Sequence, residues 1–365
     1  MGKGDAMNVV RRMVIASAAL LISMSSMAQG GKEMTVASWG GSYTEAQKKA
    51  LFDPFTKATG IAVKIIEYNG GLSEIRAQQQ AGKVVWDVVV SDIFDERRAC
   101  EDGLLTRFNA STLPASADGT AGVSDFVPGT TSKCSLGSIS WARAIAYDAN
   151  APKQPKTIKD FFDTKNFPGK RGLQKSPVAT LEWALVADGV PRKDVYTVLS
   201  TPAGVDRAFR KLDTIKKDIV WWEAGAQPPQ LLASHEVVMT SAYAGRIFVA
   251  RMEGAPFRIM WDSDVWSTDF FMIPKGAPHT QEALEFVKFA SNPERQAALS
   301  TLTSNGPTRR SAIVLVGNYP GTTESVAPHM PTYPANIKDS IQAGADFWAE
   351  NQDALKLRFT QWLLQ

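Results

Sequence analysis

The sequence predicts an α/β protein built on an open, mostly parallel sheet, and three observations carry this prediction. Predicted strands and helices alternate along the first third of the chain, the order that produces a parallel sheet covered by helices. The run 84–90 is almost wholly apolar, which is typical of a strand buried on both faces. The chain has 365 residues, enough for two lobes after an N-terminal leader is set aside.

The first strand is expected over 34–38, and the first helix over 44–59 because Gly60 follows it. A second strand is expected over 61–68, a second helix over 73–81 and a third strand over 84–90. Ligands of open α/β sheets bind beyond the carboxyl ends of the strands. The segments 39–43 and 91–92 are therefore expected on one rim. The residues that recur at helical spacing in the first helix are Ala46, Ala50, Leu51, Phe55 and Ala58.

The rest of the chain continues the alternation. Gly, Pro and small residues make 110–132 an irregular surface excursion. Strands are expected over 139–147, 237–242 and 270–273, and helices over 206–217, 246–252, 280–290 and 293–302. The tail 337–364 is expected to be helical, with Phe347, Trp348 and Trp362 as core anchors.

The first 28 residues have the composition of a secretory signal peptide. Arg11 and Arg12 precede an apolar run over 13–22, and Ser26 and Ala28 are the small residues of a cleavage site. The run is shorter than the roughly 20 residues that span a bilayer. We therefore expect export to the periplasm and cleavage near Ala28, with no membrane insertion; an uncleaved anchor is the alternative.

The chain has two cysteines, Cys100 and Cys134. In an exported protein such a pair is expected to form a disulfide, and two unpaired buried thiols are the alternative. Closing a loop of this length stabilises a fold by about 4 kcal/mol on the chain-entropy model. Two cysteines alone do not predict a metal site.

Composition and motifs exclude several classes of function. A formal net charge of +3 without a basic run gives no reason to expect a nucleic acid or an anionic membrane as partner. The sequence contains no nucleophile elbow, phosphate loop or dinucleotide fingerprint, so no cofactor is expected. A receptor is favoured over an enzyme. A secreted carboxylate-based hydrolase is the alternative, because paired acids leave no spacing signature.

Three stretches carry a more specific signal: Trp39-Gly-Gly-Ser-Tyr43, the run 86–91, and the segment 243–274. Through them the chain resembles, over essentially all of its mature length, the polyamine (spermidine/putrescine) receptors of bacterial ABC importers. The resemblance implies a type II periplasmic-binding-protein fold with two lobes, a ligand cleft between them and no enzymatic activity. It also implies a monomer that delivers a small amine to the membrane permease subunits.

The same resemblance implies the lobe boundaries. Lobe one would comprise 29–144 and 268–308, and lobe two 145–267 and 309–365. Two hinge crossings are expected, near Tyr147 and near Ser267.

Carried over position by position, the resemblance also implies a ligand site. Trp39 and Tyr43 would form aromatic walls, and Asp269 would bind an ammonium group. A buried ammonium needs a carboxylate partner and gains about 0.5–2 kcal/mol from a well-placed aromatic face. Ser91 and Asp92 have helix capping as the alternative role. The residues expected at the site are Trp39, Tyr43, Ser91, Asp92, Tyr243, Arg246, Trp266 and Asp269.

Two departures from the family pattern bear on the ligand. Polyamine receptors place acids at the start of a lobe-two helix, whereas 176–180 contains none and the first acid is Glu182. Arg246 stands where family members often have a small or neutral residue, and a guanidinium repels a polyamine but binds a carboxylate. Two interpretations stay open: a polyamine such as putrescine or spermidine, or a zwitterionic ω-amino acid such as 4-aminobutyrate held between Arg246 and Asp269.

A receptor of the same fold for a ferric ion or an organic anion is a further alternative. The seven tyrosines include no adjacent pair, which argues against iron.

Overall fold

A computed structural model describes residues 32–116 and 119–365 of the chain. The predicted signal peptide, 1–28, lies outside the described residues. The strands are β1 (Glu33–Ser38), β2 (Ala62–Glu67), β3 (Val88–Asp92), β4 (Ser135–Asp148), β5 (Arg171–Gln174), β6 (Ile219–Trp222), β7 (Met239–Tyr243), β8 (Phe257–Met272), β9 (Gly306–Pro307) and β10 (Ile341–Gln342).

Helices alternate with these strands along the chain. The helices are α1 (Gly41–Gln47), α2 (Asp53–Thr59), α3 (Ser73–Gln80), α4 (Ile93–Glu101), α5 (Ile158–Phe162), α6 (Thr180–Ala187), α7 (Val195–Leu199), α8 (Pro202–Asp213), α9 (Gln227–Ala233), α10 (Ala244–Met252), α11 (Thr280–Ala290), α12 (Pro293–Thr303), α13 (Arg310–Ile313), α14 (Pro334–Ile337) and α15 (Ala345–Leu363). Within residues 32–116 and 119–365, every helix is too short or too polar to span a bilayer.

The sheet has parallel strands at both ends. Its order is β2-β1-β3-β8-β4-β7-β5-β6, with β9 and β10 added on β4 and β8. β1 pairs in parallel with β2 and β3, and β5 pairs in parallel with β6 and β7. The predicted α/β class is confirmed. We refer to the end with β1–β3 as lobe one and the end with β5–β7 as lobe two.

Two long antiparallel strands connect the lobes. β4 has 14 residues and β8 has 16. β8 pairs with β3 in lobe one, where Val89 faces Met272, and β4 pairs with β7 in lobe two, where Arg143 faces Tyr243. The sequence predicted much shorter strands because polar residues within 262–269 interrupt the apolar pattern of β8. The predicted hinge positions and lobe boundaries stay predictions.

Each lobe has its own hydrophobic core. In lobe one, residues of β1, β3 and β8 pack with the helices around Phe55 and Phe286. In lobe two, Trp183 and Phe209 pack with Trp348 and Trp362 of the C-terminal helix. The predicted anchors of the tail are confirmed, with Phe347 partly buried, but its helix covers 345–363 rather than 337–364.

Several predicted boundaries were wrong, among them the helix expected over 206–217, which covers 202–213, and two of these errors have local reasons. The first helix begins at Gly41, passes through a π-helical turn (Lys48–Phe52) and ends at Thr59, where Gly60 caps it with a φ of 75°. β3 begins at Val88 rather than Val84. The Asp87 carboxylate accepts hydrogen bonds from the backbone N–H of Thr35 and His279, both at 2.7 Å, and this fixes the segment before the strand in an irregular conformation.

The excursion at 110–132 is irregular, as predicted, apart from two short 3₁₀ turns in its described residues. A disulfide joins Cys100 and Cys134, with their Cα atoms 5.9 Å apart. A buried ion pair forms a second attachment, because Arg309 Nε donates to Asp125 Oδ2 at 2.6 Å.

Candidate functional site

A cavity of about 110 Å³ lies where the two lobes meet. A single water needs roughly 10–15 Å³, so this cavity has room for a small organic molecule. Six of the eight predicted site residues line it. They are Trp39, Tyr43, Asp92, Tyr243, Arg246 and Asp269.

The carboxylate of Asp269 lies on β8 and is held by two indoles. Trp39 Nε1 donates to Oδ2 at 2.8 Å, and Trp141 Nε1 donates to Oδ1 at 2.6 Å. These two hydrogen bonds fix the orientation of the carboxylate. Because Asp269 is only 4% exposed, the group is largely dehydrated. Two aromatic rings and a buried carboxylate together have the chemistry that binds an ammonium group.

A second carboxyl group lies beside Asp269 in the cavity lining. Asp92 faces Asp269 in the β3–β8 ladder. Burial, together with the charge of Asp92, raises the pKa of Asp269 to about 8. Burial and the charge of Asp95 raise the pKa of Asp92 to about 7. A bound cation would stabilise the ionised form of both groups.

Asp92 also has the capping role that the sequence left open. Its Oδ1 accepts hydrogen bonds from the backbone N–H groups of Phe94 and Asp95, at 2.9 and 3.0 Å. The side chain is thus held at the start of α4 while it lines the cavity.

Arg246 crosses the cleft from lobe two to lobe one. Its Nη2 donates to the backbone oxygens of Trp39 and Gly40, both at 3.1 Å. Burial lowers the pKa of Arg246. A Cβ atom at Gly41 would lie 2.5 Å from Arg246 Nη1, so this approach of the guanidinium requires a glycine there.

The structure adds a second arginine that the sequence analysis missed. Arg143 lies on β4, lines the cavity and is 7% exposed. Its guanidinium carbon lies 5.6 Å from the ring centre of Trp141 and 5.4 Å from that of Tyr243. The sequence did contain a feature that could have identified Arg143: it is an arginine in a strand of otherwise apolar and small residues. A charge buried in such a strand is costly unless it has a partner.

Two predicted site residues are not brought to the cavity. Ser91 is buried, and its Oγ donates to Asp95 Oδ2 at 2.8 Å. Trp266 pairs with Ala142 and Gln342 in the sheet and is absent from the cavity lining.

The first acid of the lobe-two helix points away from the cavity. Glu182 Oε1 accepts hydrogen bonds from the Tyr196 hydroxyl at 2.9 Å and from Trp348 Nε1 at 2.8 Å. Burial raises the pKa of Glu182. A different acid, Glu223, lines the cavity, but it is largely exposed and pairs with Lys175 at 3.0 Å.

No group of three or more His, Cys, Asp or Glu side chains in the described residues is arranged to hold a metal ion.

Comparison with known proteins gives a consistent result. The family model described as "Bacterial extracellular solute-binding protein" matches residues 50–324. The chain is 39% identical over 344 residues to the gamma-aminobutyric acid-binding protein of Pseudomonas aeruginosa, covering 94% of each chain. It is 24% identical over 289 residues to the spermidine/putrescine-binding periplasmic protein of Salmonella typhimurium, covering 78% of this chain and 80% of that protein.

A solved structure agrees over a similar length. The periplasmic binding protein MotA from A. tumefaciens B6, in complex with glucopine, matches with a TM-score of 0.81 and 31% identity, covering 91% of this chain and 99% of that chain. The resemblance inferred from the sequence is thus confirmed at the level of the family, and the two-lobe fold with it.

Proposed function

The chain belongs to the bacterial extracellular solute-binding proteins, and on that premise we propose that it captures a zwitterionic ω-amino acid, such as 4-aminobutyrate, for an ABC importer. In this proposal the leader directs export, and the mature protein acts as a monomer in the periplasm. The ligand is held by closure of the two lobes, with no covalent step.

One observation carries the proposal: a single cavity contains a buried carboxylate held by two indoles and also two arginines. The ligand's ammonium group would lie at Asp269, between the rings of Trp39 and Trp141. Its carboxylate would lie at the arginine end. Opposite charges in one cavity favour a ligand that carries matching opposite charges.

The polyamine interpretation has less support. A diamine needs an anion for its second ammonium, and Glu182 is turned into the core of lobe two, where it accepts two hydrogen bonds. Asp92 faces Asp269 in the ladder and so belongs with the first ammonium, and Glu223 is largely exposed. Arg143 and Arg246 would repel its second ammonium. The 39% identity to a protein named for gamma-aminobutyric acid, against 24% to one named for spermidine and putrescine, points the same way.

Calorimetric titration of ligand-stripped mature protein with 4-aminobutyrate, putrescine and spermidine tests the proposal. We expect 4-aminobutyrate to bind with one site per chain and both polyamines to bind far more weakly. The Asp269→Asn variant should lose binding, because an amide cannot neutralise a buried ammonium. Tight binding of either polyamine by the wild type, or full affinity in Asp269→Asn, would overturn the proposal.

A further inference from the structure

We propose that Asn69, which lines the cavity between the lobes, is a site of spontaneous deamidation that adds a carboxylate to the cavity wall. The backbone nitrogen of Gly70 attacks the side-chain amide carbon of Asn69, and the carbon–nitrogen bond of the amide breaks. The displaced nitrogen leaves as ammonia with the proton of the Gly70 amide. Water then opens the succinimide ring to aspartate or isoaspartate, so the net reaction takes up one water and releases one ammonia.

The sequence contains two dipeptides at which this reaction is favoured. Glycine has no side chain beside its backbone nitrogen, so an asparagine that precedes glycine is the least hindered target for the attack. The two pairs are Asn69-Gly70 and Asn305-Gly306. Both asparagines line the same cavity, so the pairs differ mainly in how firmly the fold holds them.

The first pair lies in a segment that is held at its ends and not between them. Tyr68 N–H donates to a backbone oxygen of β1 at 2.8 Å, and Gly71 N–H donates to Asp95 Oδ2 at 2.7 Å. The Asn69 side chain and the Gly70 N–H make no hydrogen bond to any residue that the structure describes. Asn69 is exposed and lies outside helices and strands. Its amide carbon can therefore rotate toward the attacking nitrogen.

The second pair is held in the fold. Asn305 is 7% exposed, and Gly306 lies in β9, where it pairs with Ser140 of β4. A Cβ atom at Gly306 would clash with the Thr332 hydroxyl, so the backbone there is closely packed. A nitrogen fixed in this way cannot approach the preceding side chain, and Asn305 is expected to stay intact.

The new charge would arise on the side of the cavity that holds Asp269. A Cβ atom at Gly70 would lie 3.1 Å from Cη2 of Trp39, and the Trp39 indole donates to Asp269 at 2.8 Å. In the proposed function, on which this consequence rests, that side binds the ligand's ammonium. An added carboxylate favours putrescine, which is a dication, over 4-aminobutyrate, which has no net charge. Because Asn69 is exposed, we expect a change of about 2- to 5-fold in the ratio of the two affinities.

Peptide mapping of the mature protein, stored for increasing times in warm, mildly alkaline buffer, tests the modification itself. We expect the peptide with Asn69 to convert from amide to acid much faster than the peptide with Asn305, which is the internal control. Asn69→Gln is the second control, since glutamine must form a larger ring and cyclises more slowly. Equal rates at the two asparagines, or no conversion at Asn69, would overturn the inference.

Calorimetric titration with 4-aminobutyrate and putrescine tests the effect on the cavity. Storage should shift the ratio of the two affinities toward putrescine in the wild type and leave the ratio constant in Asn69→Gln. Freshly prepared Asn69→Asp should already have the shifted ratio. An unchanged ratio in Asn69→Asp would overturn the placement of the new charge beside the ammonium. A wild type that binds neither probe would overturn the proposed function, and the mapping would still decide whether Asn69 is the modified residue.

Discussion

Gly245 and Thr303 meet across the cleft so closely that no side chain fits between them. A Cβ atom at Gly245 would lie 2.5 Å from the Thr303 backbone oxygen. Gly245 lies in the first turn of α10 in lobe two, and Thr303 ends α12 in lobe one. Because the obstacle is backbone, it cannot move aside by a change of rotamer. The closed arrangement of the lobes thus depends on the absence of a side chain at this position.

We expect Gly245→Ala to weaken ligand binding about 5- to 150-fold, the range that corresponds to an overpacking cost of about 1–3 kcal/mol. The melting temperature of the ligand-free protein should change little, because the lobes can separate. Gly317→Ala is the matched control, since a Cβ there meets nothing within 4 Å. Titration calorimetry with thermal melts measures both quantities. Equal affinity in the two variants would show that closure does not use this contact.

Ligand affinity should rise with pH. Burial raises the pKa of Asp269 to about 8 and that of Asp92 to about 7, so both groups hold protons at pH 5.5 in the ligand-free protein. A bound ammonium stabilises the ionised forms, and binding must release protons below these pKa values. Each released proton changes the affinity by up to about tenfold per pH unit.

Titration with 4-aminobutyrate between pH 5.5 and 8.5, in buffers of different ionisation enthalpy, measures affinity and proton release together. The Asp92→Asn variant should show a smaller pH dependence, since one titrating group is removed. An affinity that stays flat across this range would contradict the assignment of the two carboxyl groups to the ammonium end.

Strand periodicity explains which site residues could be predicted. Ile139, Trp141 and Arg143 line the cavity from β4, as expected of alternate residues on one face of a strand. The same alternation places Asp92 at the cavity and Ser91 away from it. Applied to the strand predicted over 139–147, this rule would have grouped Trp141 with Arg143. The face of β4 that lines the cavity is determined by how the strand pairs with distant segments of the chain. Local sequence patterns do not contain that information.

Local sequence patterns also failed to predict the length of the two strands, β4 and β8, that connect the lobes. The alternation of apolar strands and helices was sufficient to predict the parallel end of the sheet in lobe one. In lobe two it predicted β7 but missed β5 and β6. β8 was underestimated because polar residues such as Ser263, Asp264 and Thr268 are buried within it. These residues are buried because β8 crosses from one lobe to the other. This is an effect of tertiary structure, and it leaves no periodic pattern in the sequence.

Asp264 should make the folded protein less stable as pH rises. Burial, with the charge of Asp262 adding to it, raises the pKa of Asp264 to about 8, and both carboxyl oxygens are buried without a hydrogen-bond partner in the described residues. The folded state therefore holds a proton that the unfolded chain, with an ordinary carboxyl pKa near 3.8, releases. This contribution to stability is fully present below about pH 4 and is lost as pH rises to about 8.

We expect Asp264→Asn to lose less thermal stability than the wild type between pH 5 and pH 8.5. Glu350→Gln, a change at an exposed helix position, is the control and should follow the wild type. Melting curves of ligand-free protein at the two pH values measure the difference. Parallel losses in Asp264→Asn and the wild type would show that this carboxyl group does not hold a proton in the fold.

The buried ion pair of Arg309 and Asp125 should control the attachment of the excursion at 110–132. Arg309 is 0% exposed, and its Nη2 also donates to Ser116 Oγ at 3.1 Å. Asp125 Oδ1 in turn accepts from the Ser311 backbone N–H at 2.9 Å. Asp125→Ala leaves a buried guanidinium without its carboxylate, which costs about 3–5 kcal/mol.

Because the disulfide still ties Cys134 to Cys100, we expect the loss to appear first as local opening of the excursion. Limited proteolysis should cut Asp125→Ala within 110–132 faster than the wild type, and its melting temperature should fall. Arg310→Ala is the matched control, since the neighbouring Arg310 is exposed and donates only to a backbone oxygen, that of Ser124, among the described residues. Equal cleavage rates in the two variants would show that the disulfide, and not the ion pair, holds residues 110–132 in place.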